Sequence, residues 1–197
     1  MTDAVELLEQ ALGQTGEDFV ELRYHHKETR SISVEKGRVE ATANRRRSGV
    51  AVRVKAGSGW GFASTGSLDL GAIKSAVAAA RAAALASAEA RRTPAIDPAP
   101  APLARGRYEV PGVEEVLGRP LEEKVAMAVA FEQRARQSAS AVVSAACTYN
   151  EIYEEKAIVT SDGARASLRL VRPEVRLLAV AEKHGELATG FEAVGTT

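Results

Sequence analysis

The sequence predicts an α+β protein of two similar helix-plus-antiparallel-meander units, standing apart or merged into one extended sheet covered by helices. Three observations lead there. Stretches with helical spacing of apolar residues alternate with stretches of period two. Five of the seven prolines, Pro94, Pro98, Pro100, Pro102 and Pro111, cluster in one segment and divide the chain. The pattern before that cluster then returns after it. With 197 residues, 45% of them hydrophobic and 26% charged, the composition is that of a folded domain and excludes a disordered chain.

The first helix starts at Thr2 or Asp3, either able to cap it, with Glu6 in capping-box register to Asp3. Ala4, Leu8, Ala11 and Leu12 make its apolar face, and Gly13 and Gly16 end it. From Phe19 the period changes to two. Phe19 to Tyr24 and Ser31 to Val34 read as strands, Glu35-Lys36-Gly37-Arg38 as a turn, and Val39 to Ala43 as the return. Gly49 to Val54 alternates, Ala56 to Gly59 turns, and Trp60 to Ser64 closes the meander. Asp69 to about Ala90 is helical, with Ile73, Val77, Ala80 and Ala84 on one face. The weakly polar run from Ser75 to Ala90 within it is interrupted by Arg81 and Glu89, too short and polar for a bilayer span.

Residues 93–118 are predicted to be an extended, exposed, proline-rich connector between a first unit at 1–92 and a second at 119–197. Pro120 suits the first turn of a helix running to about Gln137, with Leu121, Val125, Ala128 and Ala135 as its apolar face. Strands follow at Val142 to Tyr149, Lys156 to Thr160, Ala164 to Val171, Val175 to Ala181 and Leu187 to Phe191. The turn Glu35-Lys36-Gly37 lies 126 positions before Ser161-Asp162-Gly163, and the same shift carries Val50, Val52 and Val54 into the Val175–Ala181 strand. A weak internal duplication fits this spacing; a shared α+β pattern without common ancestry fits it too.

Charge excludes some functions. Lys plus Arg and Asp plus Glu both number 26, so the chain carries no net charge, which argues against a dedicated nucleic-acid binder or a polybasic membrane anchor. The N-terminus lacks the basic and apolar regions of a signal peptide, so a cytoplasmic protein is expected. Locally the balance breaks: residues 1–21 hold six acids and no base, while residues 22–55 hold ten bases and three acids, a net +7. That stretch either presents a basic face to an anionic partner or blunts a strand edge and meets acids of the first helix. Arg45, Arg46 and Arg47 are its densest part and are candidates for partner binding.

Catalytic signatures are missing. His25, His26 and His184 are the only histidines, and two adjacent strand residues face opposite ways, so they do not share one metal ion. Cys147, the single cysteine, sits in an apolar strand and reads as a small buried hydrophobe rather than a nucleophile. Gly57-Ser58-Gly59-Trp60-Gly61-Phe62 lacks the lysine of a phosphate loop and reads as a tight hairpin. Trp60 and Phe62, two apart, share a face that either packs inward or offers a platform to a substrate or partner. No catalytic or metal-ligating residue is assigned.

Several segments in order resemble one family. Val20-Glu21-Leu22-Arg23-Tyr24, Ser33 to Glu40, Gly49 to Val54 and Trp60 to Thr65 are similar to the N-terminal region of TldD/PmbA proteins, once named modulators of DNA gyrase and now regarded as metallopeptidases. Ser161-Asp162-Gly163, Arg172 to Leu177 and Gly190-Phe191-Glu192 resemble the segment leading to the catalytic domain of the TldD branch. The resemblance implies a scaffold, substrate-access and dimerisation region of a zinc metallopeptidase acting on unfolded peptides. It further implies that zinc is held by an HExxxH motif downstream, so that no cofactor is bound here. The implied partner is a PmbA/TldE-like or identical subunit. The alternatives are a protein- or DNA-binding module acting on DNA gyrase, and the metal-free PmbA/TldE-like subunit itself.

Overall fold

The computed structural model describes residues 3–13, 19–90, 95–97 and 99–196. Thr2, Gly16, Pro94 and Pro98, given roles above, lie outside them. In chain order the elements are α1 (Ala4–Leu12), β1 (Phe19–Glu35), β2 (Arg38–Ala56), β3 (Gly59–Thr65), α2 (Leu70–Ala90), β4 (Arg105–Glu109), α3 (Val113–Gly118), α4 (Leu121–Arg136), β5 (Val142–Thr160), β6 (Arg165–Lys183) and β7 (Glu186–Gly195). The class is α+β, and the strands are hydrogen-bonded into one sheet.

The strands are longer than the sequence suggested. Phe19–Tyr24 and Ser31–Val34 are parts of one strand of 17 residues, β1. Likewise Val39–Ala43 joins Gly49–Val54 in β2, Val142–Tyr149 joins Lys156–Thr160 in β5, and Ala164–Val171 joins Val175–Ala181 in β6, each of 19 residues. Lys36 (φ 53°) and Gly37 (φ 72°) make the two-residue turn between β1 and β2, and His184 (φ 54°) and Gly185 (φ 84°) repeat it between β6 and β7. Consecutive positive φ values match the right-handed twist of the flanking strands. Between β5 and β6, Ser161-Asp162-Gly163 turns on Thr160, whose hydroxyl accepts from Ala164 N (2.9 Å) and whose carbonyl accepts from Gly163 N (3.1 Å).

The connector is more structured than its prolines implied. It holds the five-residue β4, paired in parallel with β6 from Arg105↔Arg165 to Glu109↔Arg169, and α3 after Pro111. β4 is an edge strand of the sheet.

The chain packs as two compact units. Unit 1 comprises Met1–His26, Arg47–Glu109 and Glu154–Arg169; unit 2 comprises Lys27–Arg46, Val110–Tyr153 and Leu170–Thr197. Within unit 1 the strand order is β3-β2-β1-β5-β6-β4, with α1 and α2 supplying Leu8, Leu12, Ile73, Ala80 and Ala84 to a core with Val20, Leu22, Val52, Val54 and Val159. Asp3 caps α1 by accepting from Val5 N (3.0 Å), and Gly13 ends it with a bond to Glu9 O (3.2 Å). Asp69 caps α2 by accepting from Ala72 N (2.7 Å). Within unit 2 the order is β2-β1-β5-β6-β7, and α4 packs Val125, Ala128 and Phe131 against Ile32, Val34, Cys147 and Tyr149. Leu121, expected on the inner face of α4, is exposed; Lys124 and Glu132 take buried positions there instead.

α2 lies directly on β3 because β3 offers no side chains at the contact. A Cβ on Gly59 would stand 2.0 Å from Ala84 O, and one on Gly61 would stand 1.9 Å from Ala80 O. The Gly-rich segment is thus a hairpin whose glycines admit a helix backbone. This contact also explains the composition of α2: its 21 residues are long and apolar enough to cross a membrane by length and composition alone, and opposite the β3 glycines its buried positions are alanine, Ala80 and Ala84. Gly61→Ala is expected to force α2 off β3 and lower stability by about 2–3 kcal/mol, as overpacked cores do, read as a drop in thermal midpoint. A change within about 0.5 kcal/mol, the range of a neutral surface substitution, would show that the helix is not seated there.

Candidate interaction surface

The polar run in the middle of β1 is satisfied by its neighbouring strands. In unit 1, Glu21, 7% exposed, receives Arg23 Nε (2.8 Å) from its own strand and Arg53 Nη2 (2.8 Å) from β2. Glu154 of β5, 6% exposed, receives His25 Nε2 (2.8 Å) from β1 and Lys156 Nζ (3.3 Å). Burial pushes the Glu154 carboxyl upward, but the hydrogen bonds and charges of His25 and Lys156 outweigh it and hold the pKa below its ordinary 4.5. Arg23, His25 and Lys156 line an open groove of about 530 Å³ with Ile158, Leu168 and the exposed Tyr108 of β4. It offers cationic and apolar surface together.

Several of the bases of residues 22–55 meet acids, but not those of α1. Arg23 and Arg53 pair with Glu21, Arg30 with Glu151, Arg46 with Glu28, and Lys55 with Asp97. The α1 end carries its own ion pairs, Asp3 with Arg107 and Glu9 with Arg165. Arg30–Glu151, Arg46–Glu28 and Arg53–Glu21 each join adjacent strands, where cross-strand neighbours face one another.

Trp60 and Phe62 lie on one strand but differ in role. Trp60 is half-buried: its ring meets Phe19 edge-on at 6.0 Å, Arg53 stacks over it at 5.1 Å, and its indole N–H donates to Ile96 O (2.9 Å). Residues 96 and 97 thus tie the connector to unit 1. Phe62, opposite Arg53 in the β2–β3 register, is 68% exposed and free to touch a partner. Arg45, Arg46 and Arg47 are exposed on β2, Arg45 and Arg46 in unit 2 and Arg47 in unit 1, and the β2–β3 register stops at Val50↔Thr65, short of them.

The remaining reactive residues are engaged structurally. His25 bonds Glu154, His26 Nδ1 bonds Ser48 (2.7 Å), and His184 sits in a turn. Cys147 is buried, and burial followed by the Glu132 charge pushes its thiol up, away from thiolate. Among the described residues no three His, Cys, Asp or Glu side chains gather as a metal site.

One cluster escaped the sequence reading. Lys124, 1% exposed, donates to Glu151 (2.6 Å) and to Val116 O (2.7 Å), while the Tyr149 hydroxyl donates to Glu151 (2.5 Å) and Arg30 completes the group (3.1 Å). Burial, then the bond and charge of Glu151, push the Tyr149 phenol far above its usual 10. The signal was present: Lys124 precedes Ala128 by four on one helix face, and Tyr149 and Glu151 continue the alternation of Ala145 and Cys147.

Comparison with known proteins accords with this arrangement. Residues 20–84 match a family model described as PmbA/TldA metallopeptidase domain 1, and residues 114–197 match the PmbA/TldA metallopeptidase central domain. No curated protein matches the chain. Among solved structures, TldE from Thermococcus kodakarensis is similar with a TM-score of 0.74 at 16% identity, over 98% of this chain and 43% of that one. A candidate modulator of a DNA gyrase from Thermotoga maritima gives 0.70 at 13% identity, over 96% and 42%. Another candidate modulator of DNA gyrase, from Bacteroides thetaiotaomicron, gives 0.65 at 14%, over 98% and 44%. The chain spans less than half the length of each of these structures.

The depressed Glu154 has a consequence with a definite sign. Its ionised form is favoured in the fold, so its contribution is complete above about pH 4.5 and is lost as pH falls through the lower folded value. Glu154→Gln is expected to flatten the acid limb of a plot of thermal midpoint against pH while leaving the neutral region less affected. Parallel acid limbs for the two proteins would show that His25 and Lys156 do not hold this carboxylate.

Proposed function

Because this chain belongs to the PmbA/TldD metallopeptidase family, we propose that it forms the N-terminal scaffold of a TldD-like zinc metallopeptidase, pairing subunits and controlling the entry of unfolded peptides. The observation that carries this reading is the order of the two matched domains, first and central, in a chain less than half as long as its structural neighbours. The bare sheet margins support it as well. β4 and β7 are exposed along their whole lengths, and Leu187, Phe191 and Val194 of β7 are 65–71% exposed. Edges of this kind receive an added strand or a covering element. In this reading zinc and the proteolytic step belong to the rest of the protein, with a PmbA/TldE-like or identical subunit as partner and the cytoplasm as compartment. This chain's residues bind and position; the Arg45–Arg47 run of β2 and, separately, Phe62 of β3 are candidate contacts for the partner.

A second reading has one specific support. Two of the similar structures are described as candidate modulators of DNA gyrase, and residues 22–55 are basic. Pairing of Arg23, Arg30, Arg46, Arg53 and Lys55 with carboxylates weakens it, since such cations are not free to neutralise phosphates. Retention on DNA that falls steeply with salt would favour it. The similarity to TldE leaves a third form of the peptidase reading, in which the chain belongs to the metal-free subunit; an HExxxH motif beyond residue 197 in the gene would decide for the TldD type.

Deleting residues 1–110 from the full-length enzyme is expected to abolish subunit pairing or the turnover of casein-like substrates. Undiminished turnover would remove the scaffold role. Replacing Arg45, Arg46 and Arg47 together by serine is expected to weaken subunit association, measured by sedimentation, more than it lowers the thermal midpoint; the reverse ranking would make them structural.

A further inference from the structure

Unit 2 contains a cavity of about 350 Å³, within the range of small-molecule sites, roughly 300–1,000 Å³. Its walls are apolar, from Val116, Met127, Val175 and Val194. Its most deeply buried lining residues are polar: Lys124 at 1% and Tyr149 at 4% exposure. An ammonium group has three donors, and among the described residues Lys124 Nζ donates to two acceptors, Val116 O and Glu151. The charge count beneath the cavity is also unequal. Glu151 supplies one carboxylate, while Lys124 and Arg30 both pair with it, which among the described residues leaves one positive charge in excess.

A third cation stands at the mouth. Arg119 lines the cavity and lies near enough to Tyr149 for its charge to act on the phenol. Its partner Glu115 is four residues away and 74% exposed, a surface pair of the kind that trades partners readily. Glu174, the other acid in the lining, is occupied by two bonds from Arg176 (2.7 and 3.1 Å) and one from Asn150 (3.4 Å). A spare ammonium donor and a surplus positive charge under apolar walls are complementary to an anion joined to an apolar group.

We propose that this cavity binds a carboxylate carried by a small branched apolar group, with the carboxylate on Lys124 Nζ, Arg119 assisting, and the apolar group against Met127, Val175 and Val194. The C-terminal residue of a peptide and a free N-acylated amino acid share this chemistry. The site does not depend on the peptidase reading, since it is complete within unit 2.

Calorimetric titration of the 197-residue chain with N-acetyl-leucine and with N-acetyl-leucinamide tests it, beside a pentapeptide ending in leucine and its amide. At least one of the two acids is expected to bind saturably, and its amide at least tenfold more weakly. If only the pentapeptide acid binds, the source is a peptide terminus; if only N-acetyl-leucine binds, it is a small molecule. Val194→Trp, at a position 71% exposed and therefore tolerant, is expected to fill the cavity and abolish binding. Arg119→Ala is expected to weaken it several-fold without shifting the thermal midpoint. Absence of saturable binding by either acid, equal binding of acid and amide, or full binding by folded Val194→Trp overturns the proposal.

Discussion

Two carboxylates three residues apart on β5 make the long strands possible. Glu151 and Glu154 are 4% and 6% exposed, and each is met by a hydrogen-bonding partner from β1: Arg30 in unit 2 and His25 in unit 1. A buried carboxylate without a partner is costly, and breaking one side of such a pair costs about 3–5 kcal/mol. The pairs therefore fix β1 against β5 at one register, because a slip of one residue would send each acid to the opposite face from its partner. Strand length follows from this. Polar residues that would end a strand in isolation continue it here where they find partners on the neighbouring strand, as His25, Arg30 and Asn150 do.

The same logic of complementary surfaces governs helix and strand. β3 removes its own side chains at Gly59 and Gly61, and α2 answers with Ala80, Ala84 and Ala88. Backbone meets backbone, and large apolar residues are left to the other strands of unit 1. In unit 2 the exchange is different. α4 buries Lys124 and Glu132, and each is used: Lys124 on Glu151, and Glu132 as acceptor for Gly37 N (3.0 Å) in the β1–β2 turn and for Arg136 (3.2 Å). One helix therefore holds both the middle of β5 and the tip of a hairpin.

What could be read in the sequence was whatever periodicity encodes. Asp3, Asp69, Gly13, the Lys36-Gly37 turn and the stripe of Ile73, Ala80 and Ala84 fall where spacing and capping chemistry put them. Polar residues in strand interiors were misread as breaks, because pattern arguments treat polarity as exposure. His25 to Arg30 and Asn150 to Glu155 are cases in point; the partners of His25 and Arg30, Glu154 and Glu151, lie more than 120 residues away, and no local window contains them. β4 was hidden by the prolines before it, and the binding cluster by a lysine on a helix face that looked apolar. Of the candidate surface, Phe62 could be recognised, but the anchoring of Trp60 by Ile96 could not.

The sequence repeat and the compact units divide the chain differently. Each repeat reads helix, long strand, long strand, shorter strand: α1-β1-β2-β3 and α4-β5-β6-β7. Yet unit 1 holds the β2–β3 end of the first hairpin together with the Ser161–Gly163 tip of the second, and unit 2 holds the Lys36–Gly37 tip together with the β6–β7 end. Val159 belongs to the unit 1 core and Ile32 and Val34 to the unit 2 core, so each core draws on both repeats. The family models stop at residue 84 and resume at 114, following the repeat rather than the packing. A cut in the proline segment would thus remove strand from both cores at once. Hydrophobic burial is cooperative across whatever surfaces meet in space, and here the surfaces that meet come from opposite halves of the chain.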